Sequence, residues 1–215
     1  MSHEELRLSS GLAIPHPLAR MTTFCRKEYE YYDAIVYSDV DRIEALDVLV
    51  TVAVNSFVNS APAVRKVHRG LAAKCNELLR DIPHDADLTS HDWPSEKVYG
   101  LLHEAVQADG VLVPVATKVL HRKRPRLIPM LDNDVLKYYL QCDPSLGSVN
   151  QTQNAQYAAD VAMKVLGAFR NDLMSALEEI RSLCDSLVKN GYALTPVRTL
   201  EILIWTQVEK QKYYR

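Results

Sequence analysis

The stretch Gly110–Leu136, GVLVPVATKVLHRKRPRLIPMLDNDVL, combines a turn glycine, an apolar helix pattern, a dense basic cluster and an acidic pair. No acidic residue occurs in it before Asp132, and it carries five cations, which are Lys118, Arg122, Lys123, Arg124 and Arg126. Pro125 and Pro129 each bias the residue before them away from helix. The stretch therefore predicts a short helix, an extended basic connection and a second helix that begins near Asp132.

Helical spacing of apolar residues continues on both sides of this stretch. The spacing predicts further helices near residues 22–37, 42–58, 62–81, 95–107, 151–190 and 196–212. Segment 42–58 is predicted to be a central helix, although its β-branched residues would also suit a strand. The positions predicted to face inward are Leu46, Leu49, Val50, Ala53 and Phe57. No convincing strand alternation occurs. The prediction is an all-α fold with seven to nine helices, an irregular arm over 1–20 and a single domain over 21–215.

Composition limits the classes of function. The chain has 215 residues, 47% of them hydrophobic, and a net charge of -2, so nucleic-acid binding would require a local basic patch. The 4 cysteines form no C-x-x-C pair and the 7 histidines show no i, i+4 pairing, so neither a metal nor a cofactor is expected. The first ten residues carry acids and no long apolar run, so we expect no signal peptide, and no stretch of about 18 apolar residues occurs. We expect no membrane contact and a cytoplasmic location, or a nuclear one in a eukaryote; the oligomeric state is not predicted.

The predicted elements over about 95–122 form a helix-hairpin-helix, with a helix over 95–107, a break at Asp109-Gly110 and a helix from Pro114. A proline-bearing connection and an acid at a helix start follow. This order resembles the helix-hairpin-helix DNA glycosylase superfamily, through three segments that match its motifs: Gly110-Val111-Leu112, Val115–Leu120 and Met130–Val135. The block KVLHRKRPRLIPMLD also looks like a signature of uncharacterised proteins of this general shape.

The resemblance implies monofunctional base excision from DNA, in which the Asp132 carboxylate stabilises a cationic sugar or orients a water molecule. It implies that Asn55 and Ser56 face the minor groove as base-wedge candidates. The residues expected to contact the nucleic acid are Gly110, Lys118, His121, Arg122, Lys123, Arg124 and Arg126. Two departures are visible: Leu112 replaces the second hairpin glycine, and Pro114 occupies the place of the lysine that forms a Schiff base in the bifunctional members.

Other interpretations of the same residues remain open. The basic cluster suits a solvated surface or a partner for acids of the chain's own long helix. Asp132 suits a simple helix N-cap, since aspartate is favoured there, and Asp134 competes with it for a catalytic role. The alternative function is a non-catalytic module on the same fold that binds nucleic acid (DNA or RNA) or another protein.

Overall fold

The computed structural model describes residues 4–35, 39–56, 58–148 and 155–213, the last five through their backbone only. This part of the chain contains nine α-helices and one two-stranded sheet, which confirms the all-α class. The helices are α1 (Pro17–Glu28), α2 (Ala45–Val50), α3 (Ala61–Arg80), α4 (Ser95–Val106), α5 (Val113–Lys123), α6 (Asn133–Cys142), α7 (Ala155–Ser175), α8 (Leu177–Lys189) and α9 (Pro196–Tyr213).

The N-terminal arm, predicted to be irregular, contains a short antiparallel hairpin. Its strands are β1 (Glu5–Arg7) and β2 (Ala13–Pro15), with Leu6 opposite Ile14 and both of these side chains buried. The turn is tied to the buried Asp172 of α7, whose carboxylate accepts hydrogen bonds from Ser9 Oγ at 2.7 Å, Ser10 N at 2.7 Å and Ser10 Oγ at 2.6 Å. Asp172 therefore anchors the arm to the helical domain.

The predicted central helix over 42–58 is short and only half buried. It consists of α2 and a 3-10 turn over 51–54, with Asp47 and Thr51 buried while Leu46 is 48% and Leu49 50% exposed. The predicted inward face is therefore wrong at these two leucines and at Ala53, which is exposed. The two leucines face outward because Asp47 faces inward to meet buried cations of α5. Phe57 lies outside the described residues.

The single helix predicted over 151–190 is two helices, α7 and α8, that meet at Ala176. This residue has φ -121° and ψ 21°, which is not helical. Just before it, the Ser175 hydroxyl donates to the Asp172 carbonyl at 2.8 Å, the same carbonyl that the Ala176 N–H reaches at 3.3 Å. A serine that competes for a helix carbonyl in this way weakens and bends the helix.

Helix α5 runs through the middle of the domain. All of its residues from Val115 to Lys123 are buried, and α2, α4 and α7 pack around it. Helix α9 packs against α1, α6 and α8. Side chains of α5 and α9 come together near the start of α6. Asp132, the residue that the sequence analysis proposes for catalysis, lies there. None of the helices in the described ranges has the length and apolar composition that crossing a membrane requires.

Candidate functional site

Asp132 is the N-cap of α6. Its Oδ1 accepts hydrogen bonds from Asp134 N at 3.0 Å and Val135 N at 2.9 Å, the geometry of a capping aspartate. Its Oδ2 makes no hydrogen bond within the described residues, yet it is not sealed from solvent. One oxygen therefore serves the helix while the other remains available, and the carboxylate lines a pocket.

The pocket beside Asp132, which we call the inner pocket, has a volume of about 180 Å³. It lies between α1, the 3-10 turn over 51–54, α5 and α9. Drug-sized ligands occupy pockets of about 300–1,000 Å³, so this one suits a compact group. Its lining residues are Phe24, Glu28, Ala53, Val54, Asn55, Lys118, Met130, Asp132, Arg198, Glu201, Ile202 and Trp205.

Four ionisable side chains of the inner pocket have shifted pKa values. Against the opposing effect of burial, the nearby carboxylates of Asp33 and Glu201 raise the pKa of Arg198. Burial raises the pKa of Asp132 above its usual range, and burial raises that of Glu201 to about 7, with a further upward contribution from Asp132. Burial lowers the pKa of Lys118, whose Nζ donates to the Val54 carbonyl at 2.6 Å. Ionisable groups with shifted pKa values that converge on a cleft are typical of sites that transfer protons or stabilise charge.

Arg198 and two aromatic rings, those of Phe24 and Trp205, form a further wall of the inner pocket. The guanidinium pairs with Asp33 at 2.8 and 3.1 Å and forms a short contact with Glu201. It also lies 5.5 Å from the ring centre of Phe24, which meets Trp205 edge to face at 6.2 Å. A fixed cation and aromatic rings in contact with one another thus line the same pocket.

The sequence interpretation missed this wall. Arg198 and Glu201 lie three residues apart in an otherwise apolar helix pattern, and both are almost completely buried. Arginine and glutamate are rarely buried without a partner. Two opposite charges three residues apart inside an apolar helix could therefore have indicated a buried ion pair.

The two base-wedge candidates have different environments. Asn55 ends the 3-10 turn in the left-handed conformation, with φ 59° and ψ 40°, is exposed, and lines the inner pocket. Ser56 is buried, and its hydroxyl is hydrogen-bonded to Thr51 Oγ1 at 2.8 Å. Ser56 therefore lacks the exposure that a wedge requires, and only Asn55 keeps that candidacy.

Most of the basic cluster is inside the protein. Five of the seven residues expected to contact nucleic acid have 4% or less of their surface exposed, namely Lys118, His121, Arg122, Lys123 and Arg124. The sequence predicted that these cations lie on the surface. That prediction is wrong for these five residues, because they are buried. The side chains of Arg122, Lys123 and Arg124 meet α2, the segment before it and the end of α3, whereas Lys118 and His121 meet the carbonyls of Val54 and Ile128.

The buried cations meet acceptors from distant segments. Asp47 pairs with Arg122 Nε at 3.1 Å and with Lys123 Nζ at 2.5 Å. Arg124 pairs with Asp41 at 2.7 Å and donates to the carbonyls of Leu79 and Ile82 at the C-terminal end of α3, an end that favours positive charge. These three cations thus hold α2 and α3 against α5, and their acids come from 41–47 rather than from the long helix.

His121 is neutral at physiological pH. Its Nδ1 lies 2.6 Å from the Ile128 carbonyl, so that this nitrogen carries the proton. Burial lowers the ring's pKa to about 4. Since the folded-state pKa is lowered, the neutral ring stabilises the fold above pH about 6.5, and this contribution is lost as the pH falls toward 4. A buried neutral imidazole is not a cationic phosphate contact.

Gly110 and Arg126 are the two exposed members of the expected set. Arg126 pairs with Asp87 at 2.6 Å. Gly110 has φ +78°, a conformation that suits glycine at a turn, and a Cβ placed there would lie 3.8 Å from the side chain of Lys66. Exposed cations near this turn therefore come from α3, which also presents Arg65 and Arg69 to solvent.

A family model described as a family of unknown function (DUF6308) matches residues 18–208. The chain belongs to this family. The DUF6308 match begins in α1 and extends into α9, so every residue that lines the inner pocket lies within it, whereas the β hairpin precedes it. No curated protein and no solved structure matches the chain significantly. In the part of this DUF6308 member that the structure describes, no group of three or more His, Cys, Asp or Glu is placed to hold a metal ion.

Proposed function

We propose that this protein binds DNA and removes a base from it by hydrolysis, with Asp132 as the essential carboxylate. The observation that carries the proposal is the geometry of Asp132: Oδ1 caps α6, Oδ2 has no partner within the described residues, and the carboxylate lines a compact pocket with aromatic walls. Enzymes that act on a base in a duplex must first place it in such a pocket.

The chemistry requires little more than a positioned negative charge. The glycosidic C–N bond breaks with its electron pair going to the base, and a cationic sugar develops. Water forms the new C–O bond, and the proton that it loses is taken up by the base. A fixed carboxylate in a poorly solvated pocket stabilises the cation, because electrostatic interactions are stronger where water is excluded.

The order of elements before Asp132 supports a helix-hairpin-helix fold of the DNA glycosylase type. Helix α4 ends at Val106, the chain turns at Gly110 with positive φ, and α5 begins at Val113. A non-helical connection then leads to Asp132 at the start of α6. Leu112, at the place of the second hairpin glycine, is 40% exposed and is the N-cap residue of α5.

The surface that we assign to DNA runs from Asn55 at the pocket rim to the turn at Gly110. We assign to it the exposed side chains of Arg65, Lys66 and Arg69 on α3, of which Lys66 lies beside Gly110. Lys66 pairs with Asp109 at 2.7 Å on the exposed surface, where such pairs are weak and easily exchanged. This surface replaces the 118–126 cluster as the source of phosphate contacts.

The environment of Lys118 distinguishes two possible reactions, attack by the lysine amine and hydrolysis by water. It lines the inner pocket with Asp132, and burial lowers the pKa of its amine, which are features of an amine nucleophile. However, its Nζ is held by the Val54 carbonyl, and Pro114 occupies the nucleophile's usual place. We therefore propose hydrolysis without strand cleavage.

The test incubates excess protein with duplexes that each contain one modified base, and measures the released base by chromatography. We expect at least one duplex to lose its base and its strand to break only after alkaline treatment. Strand breakage without alkali would assign the reaction to Lys118 instead. Failure to release a base from any of the duplexes would reject base excision in favour of the non-catalytic alternative.

One observation favours that alternative, a protein-interaction module on the same fold. Leu46, Leu49 and Val52 follow one another at three-residue steps, and each is between 43% and 50% exposed. Exposed apolar groups at helical spacing are typical of helix-mediated contacts. Under this function, substitution of these residues by Ser abolishes partner binding and Asp132→Asn leaves it unchanged.

A further inference from the structure

A second cavity, which we call the outer cavity, adjoins the inner pocket. It has a volume of about 540 Å³ and lies between the end of β2, α1 and α9. Phe24, Glu28 and Trp205 line both cavities, so the two are neighbours across these side chains. A ligand whose one end enters the inner pocket would have its adjacent part at the outer cavity.

One face of α1 supplies cations to the outer cavity. Arg20, Thr23 and Lys27 lie at steps of three and four residues, which places them on the same side of the helix, and all three line the cavity. Thr206 of α9 lines it as well. A guanidinium and an ammonium are donors that proteins use for phosphate oxygens, whereas the hydroxyls of Thr23 and Thr206 donate to the carbonyls of Ala19 and Leu203.

Arg20 is held in position but is not satisfied. Its Nε donates to the Pro15 carbonyl at 2.8 Å, which fixes the plane of the guanidinium. Its Nη1 is sealed from solvent, and its Nη2, which solvent reaches, has no acceptor within the described residues. Burial lowers the pKa of Arg20, which is the effect of removing a cation from water without a compensating carboxylate.

Lys27 is exposed at the same cavity, and neither cation forms an ion pair with a described carboxylate. Glu28 is the carboxylate among the described lining residues, and it lies at the boundary with the inner pocket. A phosphate is repelled from that boundary and attracted toward Arg20. The charge arrangement therefore separates an anion position at one end from an aromatic wall at the other.

We propose that the outer cavity binds the phosphate of the nucleotide next to the one whose base enters the inner pocket. The phosphate contacts Arg20 and Lys27, while Trp205 and Phe24 separate it from the base. The assignment of the phosphate site rests on the cavity and its donors. Only its relation to the base in the inner pocket rests on the proposed function.

The test compares Lys27→Gln and the double variant Arg20→Gln/Lys27→Gln with the wild-type protein. Fluorescence anisotropy measures binding of a short single-stranded oligonucleotide at several salt concentrations. The NMR signals of the tryptophan indole groups report the binding of inorganic phosphate. We expect the double variant to bind the oligonucleotide about tenfold more weakly or worse, with the salt slope reduced by about 0.7 for each lost phosphate contact. The single variant, which changes only an exposed side chain, should show about half of the slope change.

Arg26→Gln is the matched control, because Arg26 is an exposed cation of the same helix that does not line the cavity. Equal losses in Arg26→Gln and Lys27→Gln would overturn the proposal in favour of general surface charge. Unchanged binding of both probes by the double variant would overturn it whether or not the protein releases bases. Loss of phosphate and oligonucleotide binding in a protein that releases no base would support the site and reject only base excision.

Discussion

Replacing Asp132 with Asn is expected to slow base release about 10²- to 10⁴-fold, the range typical of removing one charged catalytic group. DNA affinity should remain close to that of the wild type, because the Asp132 carboxylate stabilises the charge that develops during bond cleavage rather than the bound duplex. Stability should also be retained, since asparagine caps a helix about as well as aspartate and its side-chain oxygen can accept the bonds from Asp134 N and Val135 N.

Asp143→Asn is the control for the Asp132 substitution. Asp143 is also a capping aspartate, whose Oδ1 accepts from Ser145 N at 2.9 Å, but it is exposed and lines no described pocket. Single-turnover base release and duplex affinity should be unchanged in this variant. Equal rates for the Asp132→Asn variant and the wild-type protein would remove Asp132 from the mechanism.

Replacing Asp47 with Ala is expected to lower the free energy of unfolding by about 3–5 kcal/mol, which is typical when one partner of a buried ion pair is removed. The carboxylate is 2% exposed and contacts both Arg122 and Lys123. It also accepts from Glu44 N at 2.8 Å at the start of α2. Its loss leaves buried positive charge uncompensated and removes a helix cap in the same step.

Urea denaturation followed by circular dichroism measures this effect. The control is Asp109→Ala, which removes an acid whose pair with Lys66 is exposed on both sides; exposed pairs contribute little to stability. If Asp47→Ala unfolds at nearly the same urea concentration as Asp109→Ala, the buried cluster does not hold α2 and α3 against α5.

Elements with local signals were predicted well from the sequence. The predicted helix over 62–81 corresponds to α3, because Pro62 lies in the first turn of that helix. Asp132 caps α6, which was one of the two roles that the sequence analysis considered for it. The hairpin at the N-terminus was missed because its strands are only three residues long and its turn is anchored by Asp172, 162 residues away from Ser10. Contacts at that distance leave no periodic pattern.

The candidate site was predicted only in part for the same reason. The resemblance to the helix-hairpin-helix DNA glycosylases pointed to Asp132 and Asn55, whereas Arg198, Glu201 and Trp205 reach the pocket from the last helix. The basic cluster suggested a surface because charge alone does not reveal a partner: Asp47 precedes Arg122 by 75 residues, and the carbonyls that hold Arg124 belong to the end of α3. The burial of these cations follows from the packing of three helices, which the sequence pattern did not specify.

The most direct test of the proposed role of Asp132 is a comparison of two duplexes that require no knowledge of the natural base. One carries a cationic pyrrolidine in place of a single sugar, and the other carries a neutral tetrahydrofuran of the same shape. Because an enzyme binds a mimic of its transition state more tightly than a neutral analogue, the wild-type protein should bind the cationic duplex at least about tenfold more tightly, and Asp132→Asn should bind both alike. Equal affinity of the wild-type protein for the two duplexes would contradict a carboxylate that stabilises a cationic sugar.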